Sequence, residues 1–78
     1  MLRFGEKLRF LRKRNQLTLT ETATKLGFSS HGHLSDLELG KKIPTVELVI
    51  KVADLFRVTT DELLRDELEI VTARKRQE

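Results

Sequence analysis

"TLTETATKLGFSSHGHLSDLELG", residues 18–40, holds two helix starts, one helix stop and two histidines around a glycine. Thr18 and Glu21 stand three apart at the head of an apolar set, Leu19, Ala23 and Leu26, which is the pattern of a capping box. In that arrangement the Thr18 hydroxyl accepts from the Glu21 amide and the Glu21 carboxylate accepts from the Thr18 amide. Gly27 stops this short helix. Phe28 reads as a core anchor, and either Ser29 or Ser30 caps the next helix. Leu34 and Leu37 give that helix its inward side, and Gly40 ends it. The result is a helix, a glycine turn, and a second helix whose first turn is polar and exposed.

Ahead of this stretch, Phe4, Leu8 and Leu11 recur at helical spacing and predict a first helix with arginines and lysines around its apolar stripe. Asn15-Gln16 ends it, with Asn15 suited to a left-handed conformation. Downstream, Lys41-Lys42-Ile43-Pro44 is a short loop, and Thr45 caps a fourth helix just after the proline. Val46, Val49, Ile50, Ala53 and Phe56 form that helix's expected inward stripe. Thr59-Thr60-Asp61-Glu62 is a second capping box, opening a fifth helix with Leu63 and Leu64 inside. No stretch alternates with period two long enough to make a strand. The prediction is an all-α, compact five-helix domain over residues 1–66, undivided by any linker. For residues 67–78 two readings stay open. Leu64, Leu68 and Val71 continue a helical stripe that a second copy could bury, whereas Arg74-Lys75-Arg76 favours a flexible tail.

Composition narrows the function classes. The chain has 78 residues and no cysteine, so neither a disulfide framework nor a thiolate zinc site can brace it. Its net charge of +3 conceals a basic start, where Arg3, Lys7, Arg9, Arg12, Lys13 and Arg14 face Glu6 alone. Such a block suits either a polyanionic partner or a solvated helix face. No apolar run approaches the roughly 18 residues that span a bilayer, and no signal-peptide core follows Met1. A cytoplasmic, non-membrane protein is expected. His31 and His33 lie two apart, so on a helix they point about 200° apart, and no other histidine or cysteine can join them in a metal site. There is no cysteine nucleophile or glycine-rich phosphate loop, and a chain this small has little room for a water-excluded pocket. Asp61-Glu62 and Asp66-Glu67 read most simply as caps and solvated surface. The expectation is a non-enzyme with no metal, cofactor or small-molecule ligand.

The ordered set Leu17-Thr18, Ala23, Leu26-Gly27, Leu34-Ser35-Asp36-Leu37-Glu38, Gly40-Lys41, Pro44, Val58-Thr59 and Asp61-Glu62-Leu63-Leu64 resembles the lambda-repressor-like (Xre-type, Cro/repressor) helix-turn-helix family. With the first helix included, the resemblance covers about four-fifths of the chain. It implies a helix-turn-helix at helices 2 and 3, with helix 3 as the recognition helix in the major groove of double-stranded DNA. Base-facing positions then fall on His31, Gly32 and Asp36, with His33 and Ser35 beside them. His31 can donate to guanine and Asp36 can accept from cytosine. Gly32 would let the backbone approach a base edge. Thr18, Ser29, Ser30, Lys41 and Lys42 fall at phosphate-facing positions, where charge and hydroxyl donors suffice. Arg12 and Glu38 occupy positions that pair in this family, tying helix 1 to the recognition helix. The implied function is transcriptional regulation, as a repressor at an operator, by a homodimer on an inverted repeat.

Four departures from the family pattern bear on this. Leu19 stands where a phosphate-contacting Gln is usual, Thr22 replaces a core leucine, and Arg57 replaces the glycine that ends helix 4. The segment Gly27–Leu34 is also one residue longer than the commonest spacing. The rival expectation is a protein-interaction module, including an antitoxin-type partner binder, that keeps the scaffold without binding DNA. Asp36 and the missing Gln favour it, while the lysine loop and the polar recognition face oppose it.

Overall fold

A computed structural model describes residues 2–70. Five helices follow one another: α1 (Phe4–Arg14), α2 (Leu19–Lys25), α3 (His31–Glu38), α4 (Val46–Phe56) and α5 (Thr60–Leu64). Helix α3 packs against α1 and α2, and α5 packs against α1 and α4. One core joins them, built on Phe4, Leu8, Leu11, Ala23, Leu26, Leu34, Leu37, Val52 and Leu63.

The local signals that start the helices act as their chemistry dictates. At α2 the Glu21 amide donates to Thr18 Oγ1 at 3.0 Å, and the Thr18 amide donates to Glu21 Oε1 at 2.8 Å. At α5 the Glu62 amide donates to Thr59 Oγ1 at 3.0 Å, and Glu62 Oε1 accepts from the Thr59 amide at 2.8 Å. Thr45 Oγ1 caps α4 by accepting from the Leu48 amide at 3.1 Å. Each bond satisfies a helix-start amide that would otherwise lack a partner. Ser30 is the residue ahead of α3, in an extended conformation, but its hydroxyl makes no cap bond.

Several expectations need correction. The left-handed turn after α1 falls on Gln16, with φ of 60°, whereas Asn15 keeps a φ of −92°. Asn15 instead donates its side-chain amide to the Leu11 carbonyl at 2.7 Å. Helix α4 buries Leu48, Val49, Val52 and Ala53, while Val46 is 76% and Ile50 48% exposed. The sequence there is apolar at eight of eleven positions, so two overlapping stripes fit its periodicity equally well. Helix α5 ends at Leu64 because Arg65 turns extended, with φ of −88° and ψ of 114°. The stripe through Leu68 therefore does not form a continuous helix, and Val71 lies outside the described residues. Ile70 instead returns to the core, 9% exposed.

Lys7 also leaves the basic face to which its charge assigned it. It is 2% exposed, and its ammonium donates to the carbonyl oxygens of Glu62 and, at 2.8 Å, Arg65. A cation at the carboxyl end of α5 satisfies orphan carbonyls and complements the helix dipole. Thr22 is fully buried, and its hydroxyl donates to the Thr18 carbonyl at 2.9 Å, so this core position takes a hydroxyl without stranding it.

Candidate nucleic-acid interface

Two contacts set the pose of α3. The first is steric. A Cβ placed on Gly5 of α1 would collide with the Leu37 carbonyl oxygen and lie 2.6 Å from that of Glu38. Only glycine permits α1 to sit so close to the carboxyl end of α3. The second is ionic. Arg12 Nε donates to Glu38 Oε2 at 2.6 Å and Nη2 to Oε1 at 3.1 Å, a fork-to-fork pair with side chains 11% and 6% exposed. Arg12 Nη1 donates to the Leu17 carbonyl at 3.0 Å, so one guanidinium joins α1, the α1–α2 turn and α3.

The α2–α3 turn fixes the other end. Gly27 adopts φ of +86°, a conformation that a side chain would strain. The Phe28 amide donates to the Ala23 carbonyl at 2.8 Å, and the Phe28 side chain packs on the core. The longer turn is thus absorbed by Ser29 and Ser30, both exposed, before α3 begins at His31.

Leu34 and Leu37 set the inward side of α3. At about 100° per residue, Gly32 lies opposite that side, with Ser35 and Asp36 to either flank of it. His31 and Gly32 are exposed, and Ser35 and Asp36 are half-buried. His33 is exposed too, but its ring stacks edge-on against Phe28 with centroids 4.7 Å apart and planes at 80°. The two histidines therefore leave the helix on different sides, His33 toward the turn and His31 away from it. Among the described residues no group of three potential metal ligands gathers, here or elsewhere.

Lys41 and Lys42 are exposed just beyond the end of α3, where Gly40 turns the chain with φ of +80°. The Lys41 amide donates to the Asp36 carbonyl at 2.8 Å, which ties this loop to the helix it follows. Thr18 is exposed at the start of α2, its hydroxyl already engaged in the cap. Leu19, in the usual place of Gln, packs partly against the core. A feature that sequence reading missed is Leu39, 67% exposed on the same outward side as Gly32. A lone leucine just past the inward pair carries no periodicity of its own to say which way it faces.

The architecture, with a glycine-turned α2–α3 pair braced by α1, defines a helix-turn-helix protein. The sequence matches the helix-turn-helix family over residues 8–63, and the chain belongs to that family, in its lambda-repressor-like, Xre-type form. No curated protein matches it closely in sequence. Among solved structures it is similar to the N-terminal DNA-binding domain of SinR from Bacillus subtilis, with 26% identity and a TM-score of 0.76 over 88% of this chain and 100% of that one. The clp gene regulator ClgR from C. glutamicum is 33% identical, with a TM-score of 0.70 over 82% of this chain and 84% of that one. The restriction-modification controller protein C.AhdI from Aeromonas hydrophila shares the fold, at 24% identity and a TM-score of 0.70 over 80% and 92% of the two chains.

Proposed function

We propose that this protein is a sequence-specific double-stranded DNA-binding transcriptional regulator, a repressor that occupies an operator as a homodimer. The observation that carries the reading is the outward side of α3. From His31 to Asp36 it is built from small and polar residues, and it is held in place by the Arg12–Glu38 fork and the Gly27 turn. A rigid helix with such a side fits the major groove, which is wide enough to admit it. His31, Gly32, Ser35 and Asp36 face base edges in this reading, with His33 at the margin because Phe28 holds its ring. Thr18, Ser29, Ser30, Lys41 and Lys42 face phosphates, and the exposed hydroxyls and ammonium groups support that role. The family membership and the DNA-binding domain of SinR support the partner. The chain carries no catalytic role in this reading, needs no cofactor, and acts in the cytoplasm.

One recognition helix reads only a few base pairs, so useful specificity calls for two copies on an inverted repeat, about one helical turn between half-site centres. Ile43, just before α4, and Val46 and Ile50 on it are exposed apolar residues that a second copy could cover, 79%, 76% and 48% exposed.

Selection of binding sites from random duplex DNA tests the proposal. A palindrome should emerge, and His31→Ala or Asp36→Ala should shift its preferred bases. The absence of any enriched sequence at low salt would overturn the reading. It would favour instead a protein-interaction module on the same scaffold, a role that Asp36 and the exposed Leu39 suit.

A further inference from the structure

Beside the outward side of α3 runs an open groove of about 1000 Å³, bounded by α1, the start of α2 and the carboxyl end of α3. Leu2, Phe10 and Leu39 line it, 95%, 42% and 67% exposed. Arg9 and Lys13 line it as well, on the exposed side of α1. Neither side chain forms an ion pair or hydrogen bond with another described residue. The one carboxylate on that side of α1, Glu6, is held by Arg3 at 2.9 Å. Three exposed apolar side chains beside two unneutralised cations make a surface of definite chemistry.

We infer that this groove docks an acidic amphipathic segment of a partner protein, its apolar residues on Phe10 and Leu39 and its carboxylates toward Arg9 and Lys13. A DNA backbone would use the cations but leave the apolar side chains without a counterpart. The chain's own last eight residues suit it poorly, since they carry Arg74, Lys75 and Arg76 against Glu78 alone. Ser35 and Gly40 line the groove together with Leu39, so an occupant overlaps the edge of the surface proposed for DNA. Binding of the segment and of DNA is then mutually exclusive, which would make the groove a point of regulation. This last step rests on the DNA-binding reading above.

The probe is a fluorescent 18-residue peptide with Leu at helical spacing and Glu elsewhere, titrated into the DNA-free protein, with a Lys-for-Glu version as control. The Glu peptide should bind saturably and the Lys peptide should not. Lys13→Glu and Phe10→Ala should each weaken binding by about tenfold, as truncation of a central interface residue does. Lys13 is exposed, so its variant reports on the groove even if Phe10→Ala lowers stability. Absence of binding, equal binding of both peptides, or indifference to Lys13→Glu would overturn the inference. So would a Lys13→Glu effect confined to DNA affinity, which would make the groove a phosphate contact. Displacement of bound DNA by the peptide is expected, and simultaneous binding would overturn the exclusion. Failure of site selection alongside charge-selective peptide binding would remove the DNA reading and leave the docking site standing.

Discussion

Glu38→Ala would leave the Arg12 guanidinium, 11% exposed, with the Leu17 carbonyl as its remaining partner. A buried charge stripped of its counter-ion costs about 3–5 kcal/mol. Urea unfolding of Glu38→Ala should show a loss of that size, while Arg12→Met/Glu38→Leu should recover much of it by replacing both charges with apolar bulk. A Glu38→Ala loss under about 1 kcal/mol would mean that the pair does not hold α3 in place. Lys41 and Lys42 belong to the opposite case, since both are exposed and the fold does not use their charges. Lys41→Ala/Lys42→Ala should leave the melting temperature unchanged and weaken binding to all DNA sequences alike. The salt slope should fall by roughly one for each phosphate no longer neutralised. Unchanged DNA affinity would remove both residues from the phosphate track.

Among the elements, the turns after α1 and α4 each hold a non-glycine residue in the left-handed region, Gln16 and Arg57. Arg57 sits at φ of 60° and ψ of 46°, the left-handed conformation that costs an ordinary residue about 1–2 kcal/mol. Arg57→Gly removes that cost but adds chain entropy to the unfolded state, about 0.5–1 kcal/mol. A net gain of about 0.5–1 kcal/mol in thermal or urea unfolding is expected, and a destabilised variant would show that the arginine side chain holds this turn. The absence of glycine here was readable from the sequence, as were both capping boxes, because each depends on a few residues close in the chain. The inward side of α4 was not, since a helix apolar on most sides needs its neighbours to choose between stripes. Lys7 and Ile70 were illegible for a related reason: their partners lie in distant parts of the chain. At the candidate site, the helix-turn-helix at α2 and α3 and the Arg12–Glu38 pair were legible through the resemblance to the family. The stacking of His33 on Phe28 depended on a longer turn whose path local rules leave open, and Leu39 carries no periodicity to set its direction.

The described part of the molecule is closed where the start of α1 meets the segment after α5. Asp66 accepts from the Leu2 and Arg3 amides, each at 2.9 Å, and Arg3 Nη1 and Nη2 each donate to the Glu69 carboxylate at 3.0 Å. These bonds bind the start of α1 to the segment after α5, and the buried Lys7 ties the same two regions from inside. The Arg3 and Leu2 amides favour the ionised form of Asp66 and lower its pKa from 3.8 to about 2. A carboxylate with a folded-state pKa below its unfolded one binds fewer protons when folded across that interval. Its stabilisation is therefore complete above about pH 4 and disappears as pH falls toward 2. Glu69 and Glu6, both held by Arg3, shift in the same direction and steepen the loss. Asp66→Asn keeps one acceptor oxygen but removes the charge. Its melting temperature should fall below that of the unaltered protein at pH 6, with the gap narrowing as pH drops below about 4. A gap that stays constant down to pH 2 would show that the start of α1 and the segment after α5 are held together by packing of Ile70 and by Lys7 rather than by the Asp66 carboxylate.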